Sequence, residues 1–421
     1  MRIICGTDLS PASGGALDVA RALAALSGAD AVTLVHVADP VGSPAVRGTA
    51  MQAAGTQLEA LARERTSAQP GPAVRTELLH GSPEEALLRF TESEPCDLLV
   101  IAARSTHAPI MRLGTTAARL ITHAQVPVLC VRDPEPLLAW ARRERPLRLL
   151  LGIDDSAVCD LGIQWTHGLR ALAPVEVVLG AIYYPDDAAD HYGLGAKILV
   201  DRDPEIETLL ARDLLRRFVD TTGVVARPRR GLGRLGDHVV ELASEEKADL
   251  VIVGTGQKTG LGRLGSVSSV VIADAPQSVV CVPPNAQLRT LVTPRVLTTL
   301  VATDLSQFAN RAVPYAFSLT PADGTVHIVH VVKPDAQVDE LALRDQLQLL
   351  APVGATQAVH VHVVRGDEPA VALARSAAFH GADVMCISSH GRTGIARAIV
   401  GSVADHLLRV TRLPVLVLRP A

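Results

Sequence analysis

At 421 residues the chain exceeds what one ordinary hydrophobic core organises, and a prior of about 150 residues per domain points to roughly three domains. With 48% apolar and 20% charged residues it is a globular rather than a disordered chain, and 3% aromatics means cores built from Ala, Val, Leu and Ile, as buried parallel strands prefer. A net charge of −4 and a pI near 6.4 speak against a basic face for nucleic acid or anionic membrane.

Taken in chain order, the elements repeat. Ile4-Cys5-Gly6-Thr7-Asp8-Leu9-Ser10 reads as a short apolar strand ending in a small-residue turn and an acid. A helix over 16–26, a strand over 31–37, a helix over 51–63 and a strand over 74–79 follow from the spacing of apolar residues. His80-Gly81-Ser82-Pro83 starts a third helix, with Ser82 as N-cap and Pro83 at the first helical position. Asp97 opens the next strand, a loop carries Gly114-Thr115, and thirteen residues after that glycine a last strand begins at Pro127. The pattern returns from Leu151-Gly152-Ile153-Asp154-Asp155-Ser156 through Asp249 and Gly265-Ser266 to the strand at Ser278, and again from Val301-Ala302-Thr303-Asp304-Leu305-Ser306 through Asp383 and Gly401-Ser402 to the strand at Pro414. Domains are expected over 1–133, 147–283 and 297–421, with Pro-rich, charged linkers over 134–146 and 284–296. Trp140 implies that the first linker packs on a domain, and the Asp- and Gly-rich excursion over 183–203 is expected to be a surface loop.

Strands alternating with 10 to 15-residue helices imply right-handed crossovers. The expected fold is therefore α/β: three tandem doubly wound domains, each a five-stranded parallel sheet in the order 3-2-1-4-5 with helices on both faces. Ligands bind such a sheet beyond the carboxyl ends of strands one and four, where the strand order reverses. The repeated acid ends strand one and the glycine loop follows strand four, so both converge there. In the third copy, Gly391 and Gly401-Ser402 lead into a helix near Val403, and glycine backbone, helix N-terminus and hydroxyl together suit phosphate. Asp304 suits an adenine amino group or a ribose hydroxyl; the alternative is an N-cap of the next helix, a reading that weighs equally for Asp8 and Asp154.

The acid-ending first strand, the loop Ser388-Ser389-His390-Gly391-Arg392-Thr393-Gly394 running to Gly401-Ser402, and the terminal Pro-Val-Leu strand resemble the universal stress protein family, whose ATP-binding members carry a G-x2-G-x9-G-[ST] loop. The resemblance covers almost the whole chain in three copies and is specific in the third. It implies a stress-response sensor or regulator that binds adenine nucleotide, ATP or AMP, with Mg2+ accompanying ATP, and a homodimer through the last strand of the third domain. It also implies that Ala302, Thr303, Asp304 and the Val331 backbone hold adenine and ribose, and that Gly391, Gly401, Ser402 and Val403 hold phosphates, with Ile387 and Ser388 at the strand end. The third copy departs once, with Ser388 at the first glycine. Copies one and two depart further: Gly114 comes one residue early and Gly265 two, Ala102 and Ser105 replace loop glycines, and only Gly254 survives in the second. Asp8, Gly114, Thr115, Asp154, Gly254, Gly265 and Ser266 are therefore weaker candidates, and these copies are expected to be mainly structural.

Gly-Leu-Gly-Arg-Leu-Gly at 231–236 and 260–265 matches a dinucleotide fingerprint formally, but neither copy follows the first strand of a βαβ unit with an acid ending the next. Six cysteines without CxxC spacing and fourteen histidines without a ligand motif give no expectation of disulfide or metal; His36 and His330, at equivalent strand positions, read as packing or capping residues. No nucleophile elbow or paired carboxylates appear, so no dedicated catalytic activity is expected, at most slow ATP hydrolysis; a nucleotide-free scaffold of the same fold and a weak ATPase are the alternatives. No apolar run approaches the ~18 to 20 residues of a membrane span, and Met1 leads directly into a strand, so a cytoplasmic protein without membrane or nucleic-acid partners is expected.

Overall fold

Alternation of short Val/Ile/Leu strands with amphipathic helices produces the element order that the repeat implies. The computed structural model describes residues 1–38, 43–68, 70–103, 115–154, 157–194, 202–218, 220–255, 267–286, 296–389, 401–411 and 413–418. The first repeat runs β1 (Ile3–Thr7), α1 (Pro11–Leu26), β2 (Ala31–Ala38), α2 (Pro44–Ala68), β3 (Ala73–His80), α3 (Pro83–Ser93), β4 (Leu98–Ala102), α4 (Thr115–His123) and β5 (Val128–Val131), followed by α5 (Glu135–Ala141). The second runs β6 (Leu147–Gly152), α6 (Ala157–Leu172), β7 (Val175–Tyr183), α7 (Pro185–His191), α8 (Asp203–Arg216), β8 (Val224–Arg230), α9 (Leu235–Glu245), β9 (Leu250–Gly254), α10 (Val267–Asp274) and β10 (Ser278–Val282). The third runs β11 (Thr298–Ala302), α11 (Gln307–Asn310), α12 (Ala312–Leu319), β12 (Thr325–Val332), α13 (Glu340–Gln348), β13 (Ala358–Arg365), α14 (Pro369–His380), β14 (Val384–Ser388), α15 (Ser402–Val410) and β15 (Val415–Leu418).

The chain divides into two compact units, residues 1–183 with 214–292, and 184–213 with 293–421. In the first unit one ten-stranded sheet has the order β3-β2-β1-β4-β5-β10-β9-β6-β7-β8, two 3-2-1-4-5 sheets joined edge to edge. All neighbours are parallel except β5 and β10, which pair antiparallel with Cys130 opposite Val279 and Val128 opposite Cys281. Leu17, Leu34, Leu149 and Trp140 pack one face of this sheet, and Leu99, Leu120, Val251 and Val271 the other. The linker does pack: Trp140 on α5 is fully buried, and its indole N–H donates to the Pro174 carbonyl at 2.9 Å.

The second unit carries a five-stranded parallel sheet, β13-β12-β11-β14-β15. Val313, Phe317 and Leu347 cover one face from α12 and α13, while Leu373 and Leu407 cover the other from α14 and α15. The excursion after β7 is not a plain loop. It contains α7 and the start of α8, with Pro185 in the first helical turn and Asp186 and Asp187 suited to the positive end of the helix. This segment packs on α14: Arg212 donates to the carbonyls of Ala378 and Phe379 at 2.9 and 2.6 Å, partners for the carbonyls that a helix end leaves unsatisfied, and Asp190 pairs with Arg375.

The acid that recurs before strand four has a backbone role in every repeat. Asp97 accepts from the N–H of Arg2 at 2.7 Å, Asp249 from Arg148 at 3.0 Å, and Asp383 from Leu297 and Thr298 at 2.7 Å each. In return the N–H groups of Asp97, Asp249 and Asp383 donate to the carbonyls of Arg2, Arg148 and Thr298. Each acid thus clasps the entry of its central strand to strand four and sets the register that brings their carboxyl ends side by side.

Candidate functional site

The carboxyl end of β11 is a tight hydrogen-bonded turn. The Thr303 hydroxyl accepts from the Leu305 N–H at 3.0 Å and donates to Asn310, while Asp304 Oδ1 accepts from the Ser306 N–H at 3.0 Å. Ser306, not Asp304, is the N-cap of α11, its hydroxyl accepting from Ala309 N–H at 3.1 Å. Between them Leu305 has φ +64°, a left-handed conformation costing a non-glycine residue roughly 1–2 kcal/mol. His330 holds the turn from β12, its Nδ1 donating to the Thr303 carbonyl at 2.8 Å.

The first repeat builds the same turn. Leu9 has φ +62°, Asp8 Oδ1 accepts from Ser10 N–H, Ser10 caps α1, and His36 Nδ1 donates to the Thr7 carbonyl at 2.9 Å. His36 and His330 are therefore capping residues for equivalent strand ends. The second repeat does otherwise: Asp154 Oδ1 accepts from the Cys159 thiol at 3.0 Å, which ties the acid to α6.

At the end of β14, Ile387 packs with Leu373 and Leu407 on the α14–α15 face, as do Ala302 and, partly buried, Val331 and Val403. Ser388 alternates to the opposite face, the one Cys386 shares with α12, and is 7% exposed. The same position in the second repeat is Gly254, where a Cβ would lie 2.6 Å from Val158 Cγ1 on α6. Helix packing therefore accounts for this glycine. Gly236, within the fingerprint at 231–236, is likewise a packing glycine, since a Cβ there would meet Val270 at 2.4 Å.

At the start of α15, Gly401 is the N-cap and has no side chain with which to satisfy the first-turn N–H groups of Ser402, Val403 and Ala404. Because β11 leads to α11 and α12 on one face and β14 leads to α15 on the other, the paired strands β11 and β14 form the switch point of the sheet. Ala302, Thr303, Asp304, Val331, Ile387, Ser388, Gly401, Ser402 and Val403 all lie on the carboxyl ends of β11, β12 and β14 or on the start of α15. Gly391, Gly114, Gly265, Ser266 and the fingerprint at 260–265 lie outside the described residues, as does the Thr115 side chain.

One constellation has no signature in the spacing of the sequence. His327, His362 and His380 stand 35 and 53 residues apart at most from the first of them, yet one ring nitrogen from each lies within 4.8 Å of the others. The legible signal was local: His360 and His362 alternate on β13, so they share a face, and His360 pairs with His327 across the ladder.

The strand order 3-2-1-4-5 recurs in all three repeats and defines an α/β protein of three doubly wound domains, with the hydrogen-bonded acid turn shared by the first and third. Residues 1–132, 147–283 and 297–419 each match the model of the universal stress protein family, and the chain belongs to that family. Universal stress protein Rv2005c of Mycobacterium tuberculosis is 29% identical over 198 residues, which span 43% of this chain and 64% of that relative, less than two thirds of its length. A universal stress protein of Archaeoglobus fulgidus shares the fold at 15% identity and a TM-score of 0.50, covering 67% of this chain and 98% of that one. A universal stress protein solved in complex with cAMP is 25% identical, covering 30% of this chain and 99% of that chain with a TM-score of 0.26.

Proposed function

We propose that the protein is an adenine-nucleotide sensor or regulator whose third repeat binds ATP or AMP, and that repeats one and two are mainly structural. The observation that carries this reading is the pairing, at one switch point, of the Thr303–Ser306 turn with the side-chain-free N-terminus of α15. The turn presents a part-exposed carboxylate for a hydrogen-bond donor such as an adenine amino group or ribose hydroxyl. The helix start offers backbone N–H groups and the Ser402 hydroxyl to phosphate oxygens. Each helix-end charge contact contributes only about 0.3–1 kcal/mol, so phosphate affinity rests on several such donors acting together with the glycine loop. The first repeat shares the turn but has Ala102 at the end of β4, and the second has its acid tied to Cys159. Binding rather than turnover is the proposed chemistry.

The same reading includes self-association. β15 is an edge strand of its sheet, while its counterparts β5 and β10 pair with each other, so a second copy would pair with β15 in the antiparallel manner of β5 and β10.

Mass spectrometry of small molecules released from the purified chain, followed by calorimetric titration with ATP and AMP, tests the proposal. One nucleotide per chain is expected, with Asp304→Ala weakening it by about 1.5–3 kcal/mol, the range for a hydrogen bond to a charged group, and Asp8→Ala leaving it unchanged. Absence of nucleotide and of titratable binding in a folded dimer would favour the scaffold reading. Nucleotide hydrolysis lost on Ser402→Ala would establish the ATPase.

A further inference from the structure

We propose that His327, His362 and His380 form a three-imidazole site for a divalent first-row transition ion of the zinc type. It lies at the amino-terminal side of the third repeat's sheet, the edge opposite the nucleotide site.

The ligand set is assembled from three separate elements. His327 is the third residue of β12, His362 is on the neighbouring β13, and His380 is the last residue of α14, the helix that covers this face. Their rings are stacked, with centroids 4.1 Å apart for His362 and His380, 4.5 Å for His327 and His380, and 5.2 Å for His327 and His362. His327 is buried and the other two are half-buried, and one nitrogen of each falls within 4.8 Å of the others. His327 Nδ1 and His362 Nε2 are 2.9 Å apart, a hydrogen bond in which one ring donates and the other accepts. Two nitrogens bound at 2.0–2.1 Å to a tetrahedral ion stand about 3.3 Å apart, so this pair would need to open by only a few tenths of an ångström. The donating ring would move its proton to its other nitrogen, a tautomer change that releases no proton.

Neutral imidazole is the form that binds metal, and three imidazoles without thiolate suit zinc, copper or nickel better than calcium or magnesium. Access exists, because His380 also lines a cleft of about 520 Å³ whose wall includes Arg375, Ser376 and Phe379. Three protein ligands leave the fourth position of a tetrahedral ion to water. A fourth imidazole, His360, is exposed and stacked at 5.3 Å on His327, at the outer side of the cluster.

The full chain, without an affinity tag and stripped with chelator, is titrated with Co2+ in the absence of nucleotide, then with competing Zn2+. One Co2+ per chain is expected, with the visible absorption of a four- or five-coordinate ion, lost on adding Zn2+. His362→Gln and His380→Gln should each weaken binding at least tenfold, and His123→Ala, at an exposed histidine elsewhere, should not. X-ray absorption on the wild-type zinc complex should count three imidazoles, a reading independent of whether the variants fold. No Co2+ uptake, uptake unchanged in both glutamine variants, or a zinc shell with fewer than two imidazoles would each overturn the proposal, whatever the nucleotide titration gives.

Discussion

Trp140 is the best place to ask how firmly the first linker is built into its unit. Its side chain is fully buried among Leu17, Leu147 and Leu169, and its N–H reaches the Pro174 carbonyl at 2.9 Å. That carbonyl also accepts from the Leu147 N–H at 3.2 Å, so removing the indole leaves no orphaned acceptor. The hydrogen bond should thus contribute only its ordinary net value of about 0.5–1.5 kcal/mol, whereas truncating a buried Trp to Ala costs about 3–5 kcal/mol. Trp140→Phe, which keeps most of the apolar volume, should cost about 1–2 kcal/mol and Trp140→Ala about 4 kcal/mol. The chain has two tryptophans, and Trp165 lies in the same core on α6. Either substitution leaves Trp165 as the fluorescent reporter, and the denaturant midpoint of its transition can be read even though a chain of several domains need not unfold in one step. Equal losses for Phe and Ala would refute the view that burial outweighs the hydrogen bond. A loss below about 1 kcal/mol for Ala would refute the packed linker.

Gly254→Ala should destabilise the first unit by about 1–3 kcal/mol, because the new methyl meets Val158 Cγ1 at 2.6 Å, and Val158→Ala in the same chain should recover most of the loss in a double-mutant cycle. Burial raises the pKa of Glu246, but hydrogen bonds from Arg227 and Arg148 at 2.6 and 2.5 Å override it, and the folded carboxyl sits below its ordinary value. Its contribution is then present above the unfolded pKa and is lost as pH falls through the folded one; Glu246→Gln should cost about 1 kcal/mol at neutral pH and progressively less as the pH is lowered through the acid range, measured by urea midpoints. A chain ending after Pro284 should be monomeric by light scattering where the full chain is dimeric; a dimeric truncated chain would contradict pairing through β15.

The repeat made the fold legible because its strand-four acid has a backbone job. Asp97, Asp249 and Asp383 recur because they clasp the central strand, and strand and helix boundaries followed from Ser82-Pro83 and the apolar spacing, although α2 runs from Pro44 to Ala68 rather than 51–63. The turn chemistry was legible only in part. Asp304 falls at the strand end its place in the repeat implies, but the cap belongs to Ser306 and Leu305 is left-handed, since both depend on how the chain folds back over Thr303. Gly254 looked like a remnant of a phosphate loop because a sequence cannot show that Val158 occupies the space beside it. The histidine cluster was hidden for a related reason: two of its members meet through strand pairing and the third arrives at the end of a helix, so no interval along the chain encodes it.

Pairing of β5 with β10 also bears on how the three repeats divide their roles. An exposed apolar edge strand invites association, and the first two repeats remove that exposure by covering each other, with Val128, Leu129 and Cys130 buried against Val279, Val280 and Cys281. Among the described residues β15 of the third repeat has no such partner, and all four of its residues are only partly buried. The repeat with the unmatched edge is also the one proposed to bind nucleotide. Because β15 pairs with β14, whose end residue Ser388 borders the switch point, a partner on β15 would sit one strand from the proposed site. If both proposed partners bind, any change that nucleotide makes in dimer affinity must be matched by an equal change that dimerisation makes in nucleotide affinity, which titrating ATP at chain concentrations above and below the dimer transition measures.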